Sequence, residues 1–530
     1  MLETATMVVF CAALFASVAV GWSIVPALVG GLALFFGYGL LTGHAAKPMA
    51  VRALRSVKDA GIILVTFALI GVLTSLWRIG GTVAFVIVHA VPAAHAATVV
   101  PLSFLLCAGM SALIGSSFAS AATMGTMCMA LGQAMGTNGM LLGGAVLAGV
   151  YVGDRCSPVS TSALLVKQLT HTNLFGNLGR MLRTGLIPFV LSCLIYAVAA
   201  WPGVGPFGAD GEAGTVSDGG TSANVVGMLN GSFDLRWPVV VPALLVIALA
   251  IARIDVRVTM LTSILASVAV CIGVQRTGWR DLLATVVFGY AAPDPSVGAL
   301  LNGGGVLSMV TVGAIVCISS AYAGIFAQTG MLGGLQRGIE GIGLRAGTYA
   351  ATLVTATATA MVACNQTLTI MLTHQLCGGV YRGSGSGSSR NGSPNAVPGD
   401  ESAADPGFGT RADKTGIDGT EADGTGKTAT DKKSARPGMK PNEQQAIDME
   451  DSAVVVPALV PWSIAGAVPL SIIGAPTASM AAACFLYLLP VCRLVGAAAE
   501  GFRRRRREEN PSGRRHGRGG NHAGAGYATA

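Results

Sequence analysis

Asp154 is the residue in this chain whose surroundings most suggest chemistry. It follows 75 residues, Ile79 to Gly153, that contain no Asp, Glu, Lys or Arg, and it is followed at once by Arg155, Cys156, Ser157, Pro158, Val159, Ser160, Thr161 and Ser162. An ionisable side chain deep in an apolar run costs about 2.5–3.5 kcal/mol on insertion scales, so its presence is by default a functional signal. Pro158 has no backbone donor and interrupts a helix. The carbonyls it frees, with the Ser and Thr hydroxyls, form an oxygen-rich set suited to a hard cation. The competing expectation is that Asp154 and Arg155 mark a helix end and pair with each other at the membrane interface.

Three further polar knots interrupt apolar sequence. The first, Gly115-Ser116-Ser117-Phe118-Ala119-Ser120-Ala121-Ala122-Thr123-Met124-Gly125-Thr126, is too polar and glycine-rich for a plain lipid-facing helix, although small residues also serve close helix packing. Asn365-Gln366-Thr367, with Thr369, Thr373 and His374, sets amides and hydroxyls inside another apolar run. In Pro461-Trp462-Ser463-Ile464-Ala465-Gly466-Ala467-Val468-Pro469, two prolines and a glycine are expected to break a spanning helix. Four interruptions spread over both halves favour a substrate path over accidental polarity. The expected ion-binding groups are Asp154, Ser157, Ser160, Thr161, Ser117, Thr123, Asn365, Thr367 and Ser463. Gly115, Gly125, Pro158, Pro461 and Pro469 are the expected helix breaks.

The elements that must hold these groups are membrane helices. Apolar residues make up 52% of the 530 and charged residues only 11%, against roughly 25% charged in ordinary soluble domains. With roughly 20 apolar residues per crossing, the fold class is an all-α polytopic integral membrane protein. It should have roughly 10–13 transmembrane or re-entrant helices in two inverted-topology repeats with broken helices. Apolar runs fall at 6–21, 24–42, 60–77, within 79–153 and at 184–201, and again at 237–252, 258–275, 306–326, 346–381 and 452–492. A basic loop with Lys47, Arg52, Arg55 and Lys58, and turns with Arg180 and Arg183, Arg253 and Arg257, and Arg337 and Arg345, should be cytoplasmic. The acidic stretch with Asp210, Glu212 and Asp218 should be external.

The domain plan is therefore residues 1–201 as a first transmembrane repeat, 202–236 as an external loop and 237–381 as the first part of a second repeat. Residues 382–449 follow as a disordered inserted loop, 450–492 as the last part of the repeat and 493–530 as a basic cytoplasmic tail. The insert is rich in Gly, Ser, Asp, Lys and Thr, and such a composition cannot bury enough surface to offset its ordering entropy. Its Gly424-Thr425-Gly426-Lys427-Thr428 looks like a phosphate loop, but Glu421 stands where that motif needs Gly.

Net charge +8 does not signal nucleic acid, because residues 493–530 alone carry nine Lys/Arg against three Asp/Glu. That tail, centred on Arg503 to Arg507, reads as a topology signal that attracts anionic lipid. Eleven cysteines without C-x-x-C spacing argue against a disulfide framework or zinc site. The first apolar run has Glu3 and no basic residue before it, so it is expected to be retained as a span.

The chain resembles the NhaC-type Na+/H+ antiporter family of bacterial membranes. The resemblance is carried by GSSFASAATMGTM at 115–127, GVYVGDRCSPVSTSALL at 149–165, GRMLRTGLIP at 179–188 and EDSAVVVPALVPWSIAGAVPLSIIGAP at 450–476. It covers nearly the whole chain except 382–441 and the tail, and G-D-x-x-S-P-x-S is its most specific element. It implies a secondary transporter in which Asp154, Ser157, Pro158 and Ser160 fall on the acidic Pro-containing motif. Gly115, Ser116, Ser117, Thr123 and Gly125 fall on the small-residue motif, and Pro461, Trp462 and Ser463 on the Pro-Trp motif. Where many members have a further Asp after the second motif serine, this chain has Thr161.

The expected function is exchange of Na+ for H+ across the cell inner membrane, in the service of pH homeostasis, with Na+ carried at Asp154 as cargo. No cofactor and no enzymatic activity are expected. Na+, H+ and lipid are the expected partners, nucleic acid is not, a homo-oligomer is compatible with the sequence, and both termini should be cytoplasmic. The alternative is cation-coupled exchange of a small carboxylate or amino acid, of the malate/lactate type, with Arg155 or Lys167 meeting the anion unless they serve only as interfacial topology markers. A channel would need a filter loop and a membrane enzyme a motif such as H-E-x-x-H; neither is found, and His89, His95 and His374 stand alone.

Overall fold

The computed structural model describes residues 2–93, 95–201, 220–329, 347–382 and 439–509. Among these the regular structure is helical, apart from one isolated antiparallel bridge between Tyr290 and Gly303. By length and composition, six stretches among the described residues can each cross a membrane: Ile24–Leu41, Ala46–Ile79, Ala97–Ile114, Leu174–Ala199, Val256–Gly273 and Val306–Phe326. A seventh arises if Asn224–Ser232 and Trp237–Ile251, bent by 98°, form one broken span. That is fewer than the apolar runs suggested, because the interruptions cut runs into shorter helices. Ala5–Val20, Thr348–Ala363, Ile464–Ile473 and Cys484–Ala499 are apolar but shorter.

Burial runs opposite to that of a soluble bundle. On Leu174–Ala199 the large apolar Phe175, Leu182, Leu186, Ile187, Val190, Leu194 and Val198 face outward, whereas Asn177 and Ser192 are buried. A hydrocarbon surrounding favours that arrangement, since polar groups must find partners inside.

The centre of the fold is Gly139–Cys156. Asn138 starts it, its side chain accepting hydrogen bonds from the Met140 and Leu141 amides at 3.0 and 3.1 Å. Gly149 and Gly153, one turn apart, lie against the backbone of Ala96–Ile114. A Cβ on Gly153 would come within 2.2 Å of the Ala112 nitrogen, and one on Gly149 within 2.6 Å of the Phe104 oxygen. Small residues at this spacing let two helix backbones touch.

Several expected boundaries are corrected. The basic segment with Lys47, Arg52, Arg55 and Lys58 is a helix, Ala46–Asp59, packed on Val310–Thr329, not a loop. The expected external loop 202–236 contains the helix Gly220–Ser232, and its acidic residues Asp210, Glu212 and Asp218 lie outside the described residues. The expected disordered span 382–449 ends too late: Pro441–Glu450 is a helix whose residues from Gln444 onward are buried. Counting charges one at a time misses this, because Arg180 and Arg493 reach Glu443 and Asp448 from other helices. The rest of that span, with Gly424 to Thr428, lies outside the described residues, as do Arg337 and Arg345. The tail expected from residue 493 also begins too early. Arg493 is 6% exposed within the helix Cys484–Glu509, held inside by two acids.

Candidate functional site

The four polar knots meet in pairs. Ala96–Ile114 ends at Gly115, whose φ is +71°, and a Cβ there would lie 2.8 Å from the Ser160 nitrogen and 2.7 Å from Val159 Cγ2. The break at Gly115 thus rests directly on the break at Ser157 to Ser160. The same relation recurs elsewhere. Thr348–Ala363 ends at Cys364 with φ +55°, and the Cys364 carbonyl accepts a hydrogen bond from the Ile464 amide at 3.0 Å. Trp462 Nε1 donates to the Met361 carbonyl at 2.8 Å, closing the second pair. Tyr151 then links the two pairs by donating from its hydroxyl to the Ala465 carbonyl at 2.7 Å.

Asp154 lies at this meeting point, 3% exposed. Its carboxylate accepts from Ser160 Oγ at 3.0 Å, with the Ser117 and Gln366 side chains beside it. Ser160 also caps Thr161–Thr170, accepting from the Ser162 amide at 3.2 Å, and Ser162 Oγ reaches the Asp154 carbonyl at 3.4 Å. The identified hydrogen-bond partners of the Asp154 carboxylate are therefore all neutral hydroxyl or amide groups. The expected Asp154–Arg155 interfacial pair does not form: Arg155 is fully buried and turns to Asp451 instead.

In front of this wall is a cavity of about 360 Å³. Gly115 and Ser116, Val159 and Thr161, Asn365 to Thr367, and Ile464 and Ala465 line it, so every knot contributes. Arg253 to Arg257 lie at the same cavity, and Gln366 belongs both to its wall and to the surroundings of Asp154.

The expected ligands divide accordingly. Asp154, Ser160 and Ser117 come together, while Thr161, Asn365 and Thr367 face the cavity. Asn365 Oδ1 accepts from the Thr367 amide at 2.9 Å and so starts its helix. Ser157 Oγ accepts from the Val159 amide at 3.4 Å inside the break. Ser463 caps Ile464–Ile473 through the Ala465 amide at 3.3 Å, and Thr123 donates its hydroxyl to the Ala119 carbonyl at 2.8 Å, so both serve their own helices. Pro158 and Pro461 lie in turns between helices. Gly125 instead ends a π-helical turn, Ala121–Gly125, that runs on into Thr126–Ala134, and Pro469 lies within the continuous helix Ile464–Ile473. The missing N–H of Pro469 would have bonded the Ala465 carbonyl, which instead accepts from the Tyr151 hydroxyl, so that helix survives.

Sequence reasoning missed Ser162 and Gln366 as neighbours of Asp154, although both adjoin residues it singled out. It also missed a buried ionic network behind Asp154. Arg155 Nη2 donates to Asp451 Oδ1 and, at 2.7 Å, to Thr184 Oγ1. Arg493 bridges Asp448 at 2.8 Å and Asp451 at 2.5 Å. Gln444 Nε2 and the Tyr381 hydroxyl, each at 2.8 Å, complete the shell of Asp448. Among the described residues no group of three or more His, Cys, Asp or Glu side chains is arranged to hold a resident metal ion.

Two pairs of helix breaks thus lie around a buried acid. The Na+/H+ antiporter family matches residues 2–173 and 149–390. The chain belongs to that family, and is thus a multi-pass membrane protein of a transporter family rather than an enzyme. Its relatives include the malate-2H+/Na+-lactate antiporter of Bacillus subtilis, 24% identical over 57% of this chain and 64% of the relative. The arginine/ornithine antiporter ArcD of Halobacterium salinarum is 28% identical over 52% of this chain and 56% of the relative. The Na+/H+ antiporter NhaC of Alkalihalophilus pseudofirmus is 23% identical over 58% of this chain and 64% of the relative. The chain thus spans less than two thirds of the length of these relatives.

Proposed function

We propose that this protein is a secondary antiporter that exchanges Na+ for H+ across the cytoplasmic membrane at Asp154. The observation that carries the reading is the neutral setting of that buried carboxylate, with Ser160, Ser117 and Gln366 around it and no arginine partner. Such an acid can be neutralised by a proton or by Na+, and the two then compete for one site. Oxygen donors suit Na+, a hard cation.

The two crossed pairs of breaks, one in each half, support an inverted-repeat architecture of about 10–13 crossing or re-entrant helices. The cavity beside Arg253 and Arg257 would open to the cytoplasm if those arginines obey the positive-inside rule, which agrees with both termini being cytoplasmic. Regulation of internal pH is the role such exchange would serve.

One observation favours a second reading. A cavity of about 360 Å³ with two arginines and an Asn-Gln-Thr wall is larger than a bare cation needs, and it would admit a small carboxylate or amino acid alongside. Both readings are tested in vesicles loaded with a pH dye and challenged in turn with Na+, K+, Li+, malate, lactate, arginine and ornithine. Alkalinisation by Na+ alone supports the first reading. Dye response only when an organic substrate is present on the opposite side would replace it with the second. No response to any of them overturns both.

A further inference from the structure

Behind Asp154 the structure places four fully or nearly fully buried carboxyl groups near one another: Asp154, Asp448, Glu450 and Asp451. Two guanidiniums face them, and both are committed. Arg493 spans Asp448 and Asp451, and Arg155 holds Asp451. Glu450 is left over. It is 0% exposed, and both of its carboxyl oxygens are buried without a hydrogen-bond partner. Its neighbours on the helix show that this is selective, since Asp448 accepts three hydrogen bonds from Tyr381, Gln444 and Arg493.

We infer that Glu450 is a second exchangeable carboxyl of the transport site, carrying a proton of its own that is released when Na+ binds at Asp154. An unpaired charge in so dry a position is far costlier than a proton, so Glu450 is a neutral acid in the conformation described here. Three elements bring charge to it. Asp154, Arg155 and Cys156 come from Gly139–Cys156, Asp451 is its chain neighbour, and Arg493 lies beyond Asp451 on the last helix. On Gln366–Arg382, His374 and Tyr381 meet the opposite part of the acidic helix, at Gln445 and Asp448, while Arg180 pairs with Glu443 at its far end.

Of these groups, Asp154 is the one whose charge changes first during exchange. While Asp154 is protonated, Arg155 is shared with Asp451 and the local charge balances. When Na+ replaces that proton, Na+ and the Asp154 carboxylate together carry no net charge, so the step requires Na+ to sit between the two carboxyls, where it favours the ionised form of the unpaired Glu450. Both protons are delivered to solvent, and the protein gains two negative charges, on Asp154 and Glu450, against the one positive charge of Na+. Two protons then move against one Na+, and the exchange carries net charge.

This inference rests on the Na+/H+ reading above, and the experiment separates the two. Purified full-length protein in weakly buffered detergent is titrated with Na+ and the protons released per Na+ bound are counted. The same variants are reconstituted to ask whether a potassium-diffusion potential alone drives Na+ flux. Wild-type protein should release more than one proton per Na+ and respond to the potential. Glu450→Gln, which keeps the size of the neutral acid, should bind Na+, release one proton fewer and lose the response, and Glu450→Asp should restore both.

An unchanged proton count in a well-folded Glu450→Gln protein overturns the inference and leaves the Asp154 site standing. A count of one in the wild type overturns it even if that variant fails to accumulate. No Na+-linked proton release from the wild type removes the antiport reading and this one together.

Discussion

Asp154 and Asp451 are both buried acids next to the same arginine, yet they are treated in opposite ways. Asp451 is gripped by Arg155 and Arg493 and accepts from Thr184 at 3.2 Å, while the Tyr349 hydroxyl donates to its carbonyl at 3.2 Å. Arg493 is further held over the Tyr349 ring, 5.2 Å from its centre. Asp154 has hydroxyls and an amide. An acid whose charge is matched by fixed arginines cannot trade that match for a small ion without leaving a guanidinium stranded in the bilayer. An acid matched only by neutral donors can. The same side chain is thus a strut in one place and, in the function proposed, a cargo hook in the other.

The contrast can be broken most decisively at the hook. Asp154→Asn should abolish Na+-driven dye recovery in vesicles with matched amounts of inserted protein, while thermal denaturation in detergent stays at or above the wild-type temperature. Near-normal exchange would transfer the role elsewhere. At the strut the pattern should invert. Arg155→Met leaves Asp451 with only the Arg493 that it shares with Asp448, and removal of one partner from a buried pair typically costs about 3–5 kcal/mol, so the protein should melt much earlier and be recovered in low yield. If it melts like the wild type, the network is not structural.

A smaller effect should sharpen the comparison. Ser160→Ala removes one donor to Asp154 together with a helix cap, a loss of about 1 kcal/mol. The expected result is an apparent Na+ affinity roughly 3–10-fold weaker at that energy, with the maximal rate largely kept. A loss of maximal rate instead would make Ser160 part of the conformational change. The smallest effect is expected at Arg180, whose pair with Glu443 at 2.9 Å is more than a quarter exposed at both side chains. Arg180→Ala should shift stability by less than about 1 kcal/mol, and a larger shift would mean that this end of the acidic helix is braced more firmly than its exposure suggests.

Much of this contrast could be read in the sequence, and the unreadable part has a physical cause. Asp154, its Ser-Pro break and the knots at Gly115, Asn365 and Pro461 stand out because each is a local exception to an apolar run. Their meeting around one cavity was foreseeable only as a shared path, not as contacts such as Ile464 on Cys364. The helix Pro441–Glu450 was lost in a polar stretch because its acids look like solvent-facing groups until Arg493, 45 residues from Asp448, and Arg155, 296 residues from Asp451, are placed beside them, and nothing local announces such partners. Ala446, Ile447 and Met449, buried between the acids, were the available hint. Pro469 erred the other way: a residue type that usually breaks helices sits where the carbonyl it leaves free, that of Ala465, is satisfied by the Tyr151 hydroxyl.

The pairing of Arg155 with Asp451 also bears on how the protein is made. The two residues are 296 positions apart, and at translation rates of about 5–20 residues per second the arginine is synthesised roughly 15–60 s before its partner exists. For that interval a cation destined for the protein interior has no counter-charge, so the early helices cannot dock in final form. They must wait loosely in or beside the insertion machinery, or shield Arg155 with lipid phosphate or water. A nascent chain cut short before residue 441 would keep that unpaid charge for good, which makes premature termination late in the message a defect of membrane assembly rather than the mere loss of an end.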